Sequence, residues 1–224
     1  MTGAVPTLDW KNIRGVIFDL DGTLYQQRPV RLRMAFKLLI HVLTHRHGCR
    51  DLLVLRHYRS NREGLAEART INVSHIQFKA TAQAFQLTEE QVAGIVHEWM
   101  DLKPLTALRI ARFKDIDRMF EVLKAQGVKV GVFSDYPLTE KLQALGLVAD
   151  VQCCATASDV DRLKPEPTGL IKTLDMMGLT CNECVMIGDR EERDGLCAES
   201  ASVPFLLCKG SNFYTQLLVD FNRS

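Results

Sequence analysis

At 224 residues the chain is long enough for one to two domains and a sizeable core. It is 46% hydrophobic and 25% charged, which excludes a wholly disordered chain. With 28 Lys and Arg against 27 Asp and Glu, the net charge of +1 points to neither nucleic acid nor an acidic partner.

Met1 to Trp10 shows no charged segment followed by an apolar run, so no secretory leader is expected. Gly15-Val16-Ile17-Phe18 is a short apolar run bounded by turn signals, the pattern of a buried strand. Leu32, Phe36, Leu39, Ile40 and Leu43 follow at helical spacing and are expected to form the core stripe of a helix. Thr88 followed by Glu89, Glu90 and Gln91 reads as a capping box that starts a helix running to about Trp99. Ile116, Met119, Phe120 and Leu123 predict a helix stopped by Gly127. Further strands are expected at Lys129 to Phe133, Val151 to Ala155, Cys184 to Ile187 and Val203 to Leu207, with a helix over Thr168 to Met177. Such alternation predicts an α/β fold with a Rossmann-like parallel sheet.

The stretch from Tyr25 to Gly127 breaks this alternation, because it holds no convincing strand. It predicts an α-helical insertion at 28–103, with the α/β core formed by 1–27 and 104–224. Pro29 and Pro104 are the expected hinges. From Arg28 to Arg62 the insertion carries nine arginines and lysines against Asp51 alone. The bland reading is a solvated basic face; a substrate anion, an anionic membrane surface or nucleic acid are the alternatives. His41, His45 and His47 sit near one another, but a surface helix explains them better than zinc. The odd count of 7 cysteines argues against a disulfide scaffold, and a reducing cytoplasm is expected. Cys181 and Cys184 have CxxC spacing without a second pair of ligands. No apolar run approaches the ~20 residues of a membrane span.

The first strand runs into Asp19-Leu20-Asp21-Gly22-Thr23. Two carboxylates at the C-terminal end of a buried parallel strand stand where such sheets bind ligands. On this motif alone, a turn and a site are equally good readings. Other strand ends tip the balance. The second leads into Ser134-Asp135, and the fourth into Gly188-Asp189 with Glu191, Glu192 and Asp194 behind it. Lys164 precedes a helix start set by Pro165 and Pro167. Carboxylates suit Mg²⁺, a hard ion that prefers oxygen, and a lysine can neutralise a phosphate.

These residues resemble the haloacid dehalogenase-like hydrolase superfamily. Asp19-Leu20-Asp21-Gly22-Thr23-Leu24 matches its first motif, Ser134 the second, Lys164 the third, and Gly188-Asp189 with Asp194 the fourth. Four residues separate Asp189 from Asp194 where three are also common; Arg193 holds the shorter-spaced position, and Glu192 is the fallback acid. The resemblance implies a phosphatase of the phosphoglycolate phosphatase-like kind. Asp19 would be the nucleophile and Asp21 the general acid and base. Mg²⁺ would be held by Asp19, the Asp21 carbonyl, Asp189 and Asp194, and phosphate by Gly22, Thr23, Ser134, Asp135 and Lys164. It also implies that the helical insertion caps the site and selects a small phosphorylated substrate. The stretch from Ser134 to Lys164 is too short to hold the other large cap type. C–Cl hydrolysis in this superfamily does not use the second aspartate, so Asp21 favours phosphate chemistry. A phosphomutase, a phosphonate hydrolase and a non-catalytic phosphometabolite binder are the alternatives. The sequence does not give the oligomeric state.

Overall fold

The computed structural model describes residues 9–223. Met1 to Leu8, most of the stretch read for a leader, lie outside them. In chain order come β1 (Gly15–Phe18), then α1 (Gln27–Thr44), α2 (Gly48–Glu67), α3 (Val73–Phe85), α4 (Glu89–Val96) and α5 (Lys103–Ala111). The alternating half follows: α6 (Ile116–Ala125), β2 (Lys129–Ser134), α7 (Thr139–Leu145), β3 (Val151–Cys154), α8 (Thr168–Met177), β4 (Cys184–Gly188), α9 (Leu196–Ser200), β5 (Phe205–Leu207) and α10 (Phe213–Arg223).

The five strands are all parallel, in the order β3-β2-β1-β4-β5. Every residue of β1 is buried, as its unbroken apolar run requires of a central strand covered on both faces. Alternation sends Val16 and Phe18 to one face, where α6 and α10 pack through Ile116, Met119, Leu123 and Tyr214. Ile17 points to the other face, against Leu170, Leu174 and Met177 of α8. Gly127 closes α6 with φ +71, a conformation that costs glycine little. Thr88 and Gln91 make the expected capping box.

The helical stretch departs from expectation in three ways. Leu32, Phe36, Leu39, Ile40 and Leu43 are exposed, from 44% at Ile40 to 76% at Leu43; they are not the core stripe. The face of α1 that turns inward carries Val30, Met34 and Leu38 instead. The helix is apolar on two sides, so periodicity finds the helix without saying which side is buried. Pro29 and Pro104, the expected hinges, both lie within helices and not in loops. Pro29 sits in the first turn of α1, where the missing N–H costs little, and Pro104 is the second residue of α5, just after a π-helical segment. Further out, Gln26 N–H donates to the Ala111 carbonyl and Phe113 N–H to that of Leu24. Lastly, the helix begun at Glu89 passes through a π-helical segment, His97–Leu102, straight into α5.

All seven cysteines are free, and Cys184 is buried in β4. His41 pairs with Asp51 at 2.9 Å rather than with a second histidine ligand. No helix among the described residues is long and apolar enough to cross a membrane.

Candidate active site

The C-terminal ends of β1, β2 and β4 open on one cavity of about 400 Å³. Asp19, Asp21, Ser134, Asp135, Lys164, Asp189 and Asp194 all line it. Gly22 and Thr23, expected at the phosphate, do not line it. Thr23 is fully buried, and its hydroxyl donates to Asp19 Oδ2 at 3.1 Å. That bond orients Asp19 and leaves the hydroxyl unavailable to a phosphate. Gly22 has φ +108, and a Cβ there would lie 2.1 Å from Asp189 Oδ2. Its role is to let β1's loop pass close to Asp189.

Lys164 Nζ donates to Asp19 Oδ1 at 2.5 Å and to Asp194 Oδ1 at 2.6 Å, with all three groups buried. One carboxylate oxygen each from Asp19, Asp189 and Asp194 lies within 4.8 Å of the others. Among the described residues no other His, Cys, Asp and Glu side chains form such a group. Burial pushes the Asp19 carboxyl well above the usual range against the pull of Lys164, and Asp194 and Asp189 push it further. Burial and Asp194 raise Asp189 to about 6. Burial works against charge on Lys164, but Asp19 and Asp194 outweigh it and hold the amine protonated. Three acids therefore share one ammonium. Three hard oxygen donors with an excess of negative charge are what a divalent cation such as Mg²⁺ takes.

Asp194 rather than Glu192 stands in this cluster. Glu192 is exposed and pairs with Arg190 at 2.9 Å. The extra residue of spacing is taken up by a π-helical turn, Glu191–Gly195, a device common at functional sites. Arg193 turns away and donates to the Lys164 carbonyl at 3.0 Å and to Glu63 at 2.6 Å. Gly188 makes room, since a Cβ there would lie 2.4 Å from that of Asp194.

Asp21 is set apart from the cluster. Lys141 Nζ reaches both its oxygens at 2.9 Å, and the Tyr25 hydroxyl donates to Oδ1. Burial opposes its charge, but Lys141 and Tyr25 together hold its carboxyl below the usual range. The Gln27 side-chain amide donates to the Asp21 carbonyl. Ser134 Oγ accepts the Tyr136 N–H at 3.1 Å, which leaves its hydroxyl proton for a phosphate oxygen. Asp135 spends its carboxylate on the Lys164 N–H at 3.0 Å, so only its backbone amide remains for an anion.

Sequence reasoning missed Lys141, Tyr25 and Gln27. Lys141 leaves α7 to meet a residue 120 positions away, and no local spacing signals such a contact. Tyr25 sits four residues after Asp21 and Gln27 six, close enough in the chain to have been tested as partners.

The sequence profile of the haloacid dehalogenase-like hydrolase family matches residues 13–201. The chain belongs to that family and is a hydrolase. Phosphoglycolate phosphatase of Yersinia pseudotuberculosis is 28% identical over 210 residues, 91% of this chain and 84% of that protein. Phosphoglycolate phosphatase of Xylella fastidiosa is 25% identical over 199 residues, 87% of this chain and 79% of that protein. A 2-haloacid dehalogenase from Pseudomonas syringae has a TM-score of 0.63 at 18% identity, covering 94% of this chain and 99% of the other. A β-phosphoglucomutase from Clostridium difficile has a TM-score of 0.60 at 15% identity, covering 94% and 98%. The last two are named for different activities on one shared fold, so the reaction has to be argued from the site.

Proposed function

We propose that this hydrolase is a Mg²⁺-dependent phosphatase of a small phosphorylated metabolite, working through an aspartyl-phosphate on Asp19. The observation that carries this reading is the second carboxylate. Asp21 shares the cavity with Asp19 but has its own cation, Lys141, and its own hydroxyl donor, Tyr25. Two acids in different surroundings can take different parts in a reaction.

Asp19 is the nucleophile, aligned by Thr23 and Lys164. Its oxygen attacks phosphorus and the ester P–O bond breaks, while the leaving oxygen takes a proton from the Asp21–Lys141 pair. Water then attacks phosphorus and gives its proton to Asp21. The bond from phosphorus to Asp19 breaks, and inorganic phosphate leaves. Ser134, Lys164 and the Asp135 amide hold phosphate oxygens throughout. Asp19, Asp189, Asp194 and the Asp21 carbonyl would hold Mg²⁺, which when bound neutralises charge between carboxylate and phosphate. In this reading segment 28–103 caps a core of 1–27 and 104–224, and α5 carries the chain back. The cap shields the intermediate from bulk water and selects the substrate.

Purified protein is expected to release inorganic phosphate from phenyl phosphate with Mg²⁺, and Asp19→Asn to abolish the release. Release that persists at the parent rate in Asp19→Asn overturns the mechanism.

A further inference from the structure

Away from the catalytic carboxylates, the cavity runs along α1 and its lining changes character. Gln27, Arg31, Met34 and Leu38 recur at intervals of three and four, and all four line it. At 1.5 Å per residue this stripe is about 16 Å long. Gln27 marks its catalytic end, where the side-chain amide meets the Asp21 carbonyl. Leu38 marks the far end, packed against the buried cluster that holds Leu55 and Trp99. Both of those side chains line the cavity too.

Arg31 lies one turn along from Gln27, and Arg59 reaches the same cavity from α2. Among the described residues, neither guanidinium has a hydrogen-bond or ion-pair partner. Their neighbours differ. Arg62 is spent on Gln77 and the Asp135 carbonyl, and Arg193 on Glu63 and the Lys164 carbonyl. The cavity wall thus offers three zones in order: a phosphate site, two uncommitted cations and an apolar end. A two-carbon phosphorylated acid fills the first two and leaves water against Leu38, Leu55 and Trp99. A ligand that displaces that water gains from the hydrophobic effect.

We infer that the substrate is an amphiphilic phosphate monoester, with an anionic group for Arg31 and Arg59 and an apolar or aromatic body at the Leu38 end. This rests on the phosphatase reading above and adds a substrate class to it. The test uses three esters that separate charge from bulk: 2-phosphoglycolate, 2-phospho-3-phenyllactate and phenethyl phosphate. The first two share a carboxylate next to the ester carbon; the third keeps the ring and loses the carboxylate. With Mg²⁺, kcat/KM is expected to be at least tenfold higher for phosphophenyllactate than for phosphoglycolate, and at least fivefold higher than for phenethyl phosphate. Arg31→Ala and Arg59→Ala should raise KM more for phosphophenyllactate than for phenethyl phosphate. Leu38→Asn should shrink the advantage of phosphophenyllactate over phosphoglycolate. Equal or better turnover of phosphoglycolate overturns the inference and leaves the phosphatase reading standing. Equal losses on both ring-bearing esters in the arginine variants also overturn it. No phosphate release from any of the three overturns the phosphatase reading itself.

Discussion

The cavity has one wall made by strand ends and another made by helices, and different forces hold them. On the strand-end wall the polar groups are buried and partnered: Lys164 with Asp19 and Asp194, Lys141 with Asp21, Asp135 with the Lys164 amide. The helical wall rests on apolar packing around Val54, Leu55, Tyr58 and Trp99. A few polar contacts clasp it to the core, chiefly Glu63 to Arg193 and Arg62 to the Asp135 carbonyl. A buried cluster tied by ion pairs has little freedom to rearrange, while packing joined by a small clasp leaves room to adjust. In the proposed mechanism chemistry sits on the first wall, and selection on the second.

The largest effect that would test this contrast is expected at Gly22. Alanine there must relieve a 2.1 Å approach to Asp189 Oδ2 and adopt φ +108. A cost of about 3 kcal/mol in urea unfolding is expected, together with a weaker Mg²⁺ dependence of activity. Gly178→Ala is the control. Its φ of +64 is also left-handed, but no atom lies within 4 Å of the added Cβ. It should cost about 1 kcal/mol and leave the Mg²⁺ dependence unchanged. Equal behaviour of the two variants would mean that the strand-end wall is looser than its geometry implies.

Lys141→Met should come next. It strands a buried carboxylate, so the Asp21 pKa rises once its cation is gone. Steady-state phosphate release should fall about 10- to 100-fold, and the acid limb of the pH profile should move to higher pH. An unshifted limb would separate Lys141 from Asp21.

These residues also show what was legible in the sequence. The strands could be read because a central parallel strand is apolar throughout, as Gly15 to Phe18 and Cys184 to Ile187 are. Asp19, Ser134, Lys164, Asp189 and Asp194 could be read because each lies at the end of a strand or in the segment that follows one, at one sheet edge. The hydroxyl of Thr23 and the carboxylate of Asp135 turn to other partners, Asp19 and the Lys164 amide, because residue type does not say where a side chain's hydrogen bond goes. The burial of α1 was misread for a related reason: Leu32 to Leu43 and Val30 to Leu38 are two apolar stripes on one helix, and only tertiary packing chooses between them.

A smaller effect is expected at the clasp. Burial works against charge on Glu63, but Arg190 and Arg193 outweigh it and hold the carboxyl below its usual range. A lowered carboxyl adds stability at pH above its ordinary value near 4.5, and that contribution is lost as pH falls through the folded-state value. Glu63 is about half exposed, so the contribution is at most about 1 kcal/mol. Glu63→Gln should therefore lower the melting temperature slightly at pH 7, and the difference from the parent should shrink as pH falls below 4.5. A difference that stays constant across this range would show that Glu63 acts by packing and not by charge.

The smallest effect belongs to the outer stripe, and there a near-zero result is the informative one. Leu39 is 55% exposed, whereas Val54 on the neighbouring helix is fully buried. If packing alone decides which side of α1 is core, Leu39→Gln removes little buried area and changes unfolding free energy by less than about 0.5 kcal/mol. Val54→Ala, which removes two buried methyl groups, should cost about 2 kcal/mol. Helix propensity favours neither Leu nor Gln strongly and favours Ala over Val, so a cost at Val54 reports burial and not propensity. A cost at Leu39 matching that at Val54 would mean that the outer stripe is covered in solution, and that α1 has two buried faces instead of one.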